Sequence, residues 1–311
     1  MDGFGRIKDG LNMRGRMNAL RVKKGIVVIG LFGLGVVFIP TVRSQSSANA
    51  RTISTGRLEE HVLFDSSYHR SRRTWVYTPA GYDAHRAEPY PLILAFDGDE
   101  YRDLMPLPHI LDSLSSNGYA PKFVAVLIDD SIGGVRLADL CNCARMTGFL
   151  GKQLVPWLRR GWRVTSDPRQ VIATGSSAGG LGAAFVAFTS PELFGNVWSQ
   201  SGAFWRGAEA SNEEPWEWLT GKVKTEPKKD IRFFLDVGEL EDHRTLSGSG
   251  PNFRDANRRF KDALKNKGYD VTYLEVPGGN HAERWWSQRL AVGIVTLSKG
   301  WAQEPIEVRG N

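Results

Sequence analysis

The chain has only two cysteines, Cys141 and Cys143, and they stand one residue apart. A disulfide across a single residue is strained, and two thiolates alone do not complete a zinc site. Two small, partly buried side chains are the plain expectation, with oxidation open only in an export compartment. Histidine is also scarce, with six in 311 residues. No metal-ligand spacing joins them, so neither metal nor cofactor is expected. Net charge is missing from most of the chain. The formal +6 is held by residues 1–43, where eight Lys or Arg face two Asp, which leaves 32 basic and 32 acidic residues. A neutral body offers no basic field to a polyanion, so no nucleic-acid partner is expected.

What the N-terminus does have is an apolar run. Gly25 to Val42 carries no charge, follows Arg21, Lys23 and Lys24, and precedes Ala48-Asn49-Ala50, a small-x-small pattern suited to signal peptidase. As a helix it would reach about 27 Å, barely enough to span a bilayer. Residues 1–50 therefore read as a cleaved signal peptide or an uncleaved signal anchor. Either sends residues 51–311 out of the cytoplasm, to be periplasmic, secreted or anchored facing outward. Membrane contact is expected only through this segment.

The rest is long enough for one large domain with a sizeable core. Leu58–Phe64 and Thr74–Thr78 read as early strands, an antiparallel start to a sheet. Apolar runs follow at Leu92–Phe96, Phe123–Ile128, Val171–Thr174 and Phe233–Val237, as in strands covered on both faces. A helix with Phe253, Ala256, Phe260, Ala263 and Leu264 on one face ends at Lys267-Gly268. A last strand, Val271–Val276, comes after it. Strands alternating with helices predict an α/β fold, a mostly parallel central sheet with helices on both faces. Ligands on such sheets bind beyond the carboxyl ends of the strands.

One of those ends carries Gly175-Ser-Ser177-Ala-Gly179, between the Val171 strand and the apolar stretch Leu181–Phe188. With 34 glycines in the chain, a bare G-x-S-x-G says little. Between a strand and a helix it reads as a nucleophile elbow, with Ser177 lifted clear and the N–H of Ala178 facing a developing oxyanion. A serine hydroxyl needs a base. His61 and His69 fall in the early strands, His85 in a polar loop and His109 in a helix. His243 and His281 both follow late strands. His281, in the loop Pro277-Gly-Gly-Asn-His281 after the last strand, fits the chain order serine, acid, histidine. The acid should follow the Phe233 strand, where Glu239, Glu241 and Asp242 are available beside Asp236. Glu241 is preferred and Asp242 is second. The N–H of Asp99, after Asp97-Gly98, is the expected second oxyanion donor. Arg136, Trp205 and Trp285 are candidates to grip an anionic or aromatic substrate. Their plainer alternative is structural, Arg136 paired with Asp139 and the tryptophans in the core.

Residues 73–300 resemble the catalytic domain of the enterochelin (enterobactin) esterase-like branch of the esterase D family. The likeness rests on FDGDEY at 96–101, VLIDD at 126–130, Arg136-x-x-Asp139-Leu with Asn142 downstream, and TGSSAGGLGA. FGNVWSQSGAFW at 194–205, VGELED and VPGGNHAERWW ending at Trp286 complete it. The resemblance implies an α/β-hydrolase that cleaves esters, in that branch often those of catecholate siderophores, with a small-molecule ester as partner. It also implies a Gly-x-x-acid pattern that places the acid on Glu241. This chain departs from the pattern at Asp139, where the motif has glutamate, and at Asn280, an extra residue before the histidine. It also has the apolar segment where two-domain members carry an N-terminal domain. Related branches include feruloyl and acetylxylan esterases, S-formylglutathione hydrolases and mycolyltransferases, so an acyltransferase stands as the alternative to a hydrolase.

Overall fold

The computed structural model describes residues 55–130, 136–141, 144–207, 216–242 and 252–301. The N-terminal apolar run, Asn142, Cys143 and His243 lie outside them. Eight strands form the sheet: β1 (Arg57–Asp65), β2 (Arg70–Thr78), β3 (Leu92–Ala95), β4 (Val124–Ile128), β5 (Val171–Ser176), β6 (Asn196–Gln200), β7 (Arg232–Gly238) and β8 (Asp270–Val276). Their spatial order is β1-β2-β4-β3-β5-β6-β7-β8. β2 pairs antiparallel with β1 and with β4, and every pairing from β4 to β8 is parallel.

The helices are α1 (Gly98–Asp103), α2 (Leu107–Ser116), α3 (Arg136–Leu140), α4 (Ala144–Phe149), α5 (Val155–Gly161), α6 (Ala178–Thr189), α7 (Trp218–Thr225), α8 (Phe253–Asn266), α9 (Glu283–Ser287) and α10 (Leu290–Leu297). Side chains alternate across each strand, so each of the two sheet faces has its own core. Leu92 and Leu94 join Phe149, Leu181, Leu219 and Phe260 on one face. Ile93 and Ala95 join Leu111, Trp286, Leu290 and Ile294 on the other. Helices thus cover both faces, as the continuous apolar runs predict. Among the described residues no helix is long and apolar enough to cross a membrane.

Two details differ from the sequence reading. β6 was not expected, because Asn196, Ser199 and Gln200 interrupt its apolar pattern. All of them are buried, and Asn196 pays for its place with bonds to the carbonyls of Arg169 and Val171 at 2.8 and 3.1 Å. His69 sits in the turn between β1 and β2, at φ 51°, rather than in a strand. Cys141 is buried in the core. The end of α8 follows expectation: Lys267 caps it and Gly268 turns the chain away at φ 80°.

Candidate active site

β5 delivers Ser177 to the site and α6 begins immediately behind it. Ser177 has φ 56° and ψ −116°, a strained setting for a residue with a Cβ. Its N–H is held by the Gln200 carbonyl at 2.8 Å, and its carbonyl accepts from the Ala203 N–H at 2.9 Å. The turn is tight enough that a Cβ on Gly175 would stand 2.4 Å from the Gly179 backbone. A Cβ on Gly179 would stand 2.5 Å from Asp97 Oδ2. Only hydrogen fits at both positions.

The loops after β7 and β8 are zipped together beside this elbow. The N–H groups of Glu239 and Leu240 donate to the carbonyls of Val276 and Gly279 at 2.9 and 2.8 Å. A Cβ on Gly238 would collide with the Gly279 carbonyl at 2.4 Å, so that approach also requires glycine. The pairing sets Glu241 and His281 side by side. His281 Nδ1 lies 2.7 Å from Glu241 Oε2, and Nε2 lies 3.0 Å from Ser177 Oγ. Ser177, His281 and Glu241 are therefore in one continuous hydrogen-bonded series. The Glu241 side chain is 1% exposed, whereas that of His281 is 34% exposed.

The other carboxylates near β7 are used elsewhere. Asp242 is 46% exposed and lies 3.7 Å from Arg254. Glu239 accepts from the Gly278 N–H at 2.9 Å. Asp236 is buried under the sheet end, bound by Arg289 at 2.7 Å and by the Trp198 indole at 3.0 Å. Burial pushes the Asp236 carboxyl up, with Arg289 and Trp198 pulling the other way.

The segment after β3 is fastened to the elbow from the opposite side. The Asp97 N–H is taken by Asp130 at 3.3 Å, which removes it as an oxyanion donor. Asp99 and Ala178 each lie in the first turn of a helix, α1 and α6, where N–H groups have no intrahelical partner. Arg136 does not pair with Asp139, contrary to the structural alternative read from the sequence. Its guanidinium grips both oxygens of Asp97, one of them at 2.7 Å, and donates to the Ser176 carbonyl at 3.3 Å. Asp139 instead meets Arg70 and Arg72. Much of the Arg136 guanidinium is thus spent on bracing the elbow. Burial pushes the Asp97 carboxyl up against the pull of Arg136. Glu100, 3.5 Å from Ser176 Oγ, is pushed up to about 7 by burial and then by Asp97.

The two tryptophans read as substrate grips are packed rather than open. Trp205 is 5% exposed and lies against Trp216 and Phe253. Trp285 is half-buried beside Gly278, with its indole nitrogen enclosed. The rings that touch His281 are others. Phe253 lies 4.2 Å from it, and Trp286 meets it edge-on at 4.9 Å and 88°. Ser201, Trp286 and Phe253 were given no site role by the sequence reading. The SQSG and tandem-tryptophan motifs held the first two in view, without indicating which side chain faces the histidine. Among the described residues no three His, Cys, Asp or Glu side chains gather as metal ligands.

A sheet of this order with a serine elbow after β5, and late loops carrying an acid and a histidine, defines the α/β-hydrolase class. Within that class, the chain belongs to the esterase family described as "Putative esterase", whose model matches residues 66–297. The iron(III) enterobactin esterase of Escherichia coli O6:H1 is 30% identical over 231 residues, covering 73% of this chain and 54% of the relative. The enzyme of the same name from Escherichia coli K12 is 29% identical over 232 residues, with the same coverage. The chain spans about half the length of these relatives. A crystal structure of the Shigella flexneri enterobactin esterase, obtained in the presence of enterobactin, superposes with a TM-score of 0.68 at 26% identity. That match covers 78% of this chain and 59% of the other. A ferulic acid esterase shares the fold at TM-score 0.65 and 16% identity, over 79% of this chain and 98% of its own.

Proposed function

We propose that this protein is a serine esterase acting through Ser177, His281 and Glu241. The observation that carries the reading is the unbroken series from Glu241 through His281 to the strained Ser177. The Glu241 carboxylate accepts a hydrogen bond from Nδ1–H, which keeps the proton on that nitrogen and leaves the Nε2 lone pair facing the serine hydroxyl. As Ser177 Oγ attacks an ester carbonyl, Nε2 accepts its proton. The N–H groups of Ala178 and Asp99 receive the charge that builds on the carbonyl oxygen. The imidazolium then protonates the departing alcohol. Water, activated by the same imidazole, releases the acid from the acyl-enzyme.

The substrate class is supported by the siderophore esterases among its relatives and by the Phe253 ring beside His281. Enterobactin and salmochelin esterases are among the relatives, and the Phe253 ring lies against His281. Aryl-bearing esters of the siderophore type are the proposed substrates. The apolar run Gly25–Val42 with its basic flank supports export, as a cleaved signal or as an anchor that is the protein's one membrane contact. The test is a product assay with catecholate siderophore, feruloyl, acetyl and p-nitrophenyl esters, each with and without an acceptor alcohol. Free acid in water alone supports the hydrolase. Product formed only with the acceptor would replace it by an acyltransferase.

A further inference from the structure

Ser201 directly follows β6, and like Ser177 and Asp97 it is a non-glycine residue of the site with positive φ, at 49°. It is fully buried, so the strained conformation is not relieved by solvent. Its N–H donates to the Asp236 carbonyl at 2.7 Å, which pins the backbone to β7. Its hydroxyl meets two partners, the Trp286 indole N–H at 2.8 Å and Glu241 Oε1 at 2.7 Å.

The chemistry of these partners fixes the direction of both bonds. An indole N–H can only donate, and an ionised carboxylate can only accept. Ser201 Oγ therefore accepts from Trp286, and its single proton points at Glu241. The Gly238 N–H donates to the same Oε1 at 2.8 Å. With Oε1 held by two donors, the carboxylate cannot swing. Oε2 is presented to His281 Nδ1 at 2.7 Å. Trp286 closes the arrangement, because its ring also lies edge-on to His281 and its carbonyl accepts from Gln200 Nε2 at 2.9 Å.

We infer that Ser201 is a positioning residue: acting through Glu241, it holds His281 in the Nδ1–H tautomer with Nε2 aimed at Ser177. The inference rests on the esterase reading above. It accounts for a strained, buried serine in the SQSG motif that no step of acyl transfer touches.

A double-mutant cycle tests it with the purified full chain and p-nitrophenyl esters. Ser201→Ala removes the hydroxyl and keeps the strained backbone. Ser201→Gly removes the hydroxyl where φ 49° costs glycine nothing, so it folds even if the alanine variant does not. Both variants should lose kcat by about ten- to hundredfold, the range of a buried hydrogen bond to a charged group, with KM within about twofold. In a Glu241→Ala background the same change should cost less than about threefold, because residues that act through one another are not additive. Wild-type kcat in Ser201→Gly would overturn the inference, as would an undiminished loss in the Glu241→Ala background. A wild-type chain that neither hydrolyses esters nor reacts with a fluorophosphonate would instead bring down the esterase reading. Hydrolysis with additive variants brings down the role of Ser201 alone.

Discussion

Glu241 Oε2 and His281 Nδ1 stand 2.7 Å apart, although the two residues reach the site on separate loops after β7 and β8. The zipper between those loops makes the pair, and a carboxylate that is 1% exposed has few ways to be satisfied except by this imidazole, Ser201 and Gly238. The carboxylate beside His281 is thereby placed by backbone pairing between the two loops.

Glu241→Gln tests the acid directly. The amide keeps the shape but presents an N–H₂ where Nδ1–H needs an acceptor, which favours the wrong tautomer. A drop in kcat of about 10²- to 10⁴-fold with little change in KM is expected. Asp242→Asn, at an exposed side chain, should leave kcat within about twofold. Steady-state kinetics on one p-nitrophenyl ester distinguishes the two carboxylates.

The raised Glu100 carboxyl has a consequence for stability. Its ordinary value of 4.5 rises to about 7 in the fold, through burial first and the Asp97, Asp99 and Glu283 carboxylates, against the pull of Arg136. Between these values the folded protein keeps a proton that the unfolded chain releases. The stability this provides is present in full below pH 4.5 and is lost as pH rises through about 7. Glu100→Gln stays neutral throughout. Its melting temperature should match wild type near pH 4.5 and exceed it at pH 8, by about 1–2 kcal/mol in stability, partial exposure screening the rest. Thermal melts across that range check the sign.

Gly179→Ala should damage both stability and turnover. The added Cβ meets Asp97 Oδ2 at 2.5 Å, and that oxygen is already held by the Arg136 guanidinium at 2.7 Å. Overpacking of this kind costs about 1–3 kcal/mol. Displacement of the Asp97 segment should also lower kcat, because Asp99 lies two residues on. Urea unfolding and steady-state kinetics measure the two effects separately.

Arg289→Met leaves the Asp236 carboxylate buried without its ion-pair partner. Breaking a buried pair from one side costs about 3–5 kcal/mol, which calorimetry would register as a large fall in melting temperature. Protein that remains folded should still hydrolyse esters, since Asp236 touches neither His281 nor Ser177. Loss of turnover in folded protein would give Asp236 a place in the site.

The parts of the site that were legible in the sequence are those written in local pattern. An apolar run, a glycine-bracketed serine and an apolar helix are contiguous, so the elbow at Ser177 could be read directly. The order of Ser177, Glu241 and His281 followed from the alternation of strands and helices. β6 was not legible, because its polar residues are satisfied by partners distant in sequence, as Asn196 is by Arg169 and Val171. The same applies to Arg136, whose nearest acidic residue in sequence is Asp139 and whose partner in space is Asp97. Trp285 and Trp286 are neighbours in the chain, and only the seating of α9 decides which ring meets His281. Contacts such as Ser201 to Trp286, across 85 residues, belong to packing rather than to pattern.

The most direct measurement is labelling of the folded protein with a fluorophosphonate, read by mass spectrometry of the modified peptide. A nucleophile 3.0 Å from His281 Nε2 should carry one adduct at Ser177, with no adduct in Ser177→Ala and much slower labelling in His281→Ala. Absence of labelling in folded wild-type protein, or undiminished labelling in Ser177→Ala, would contradict the assignment of Ser177 as the nucleophile.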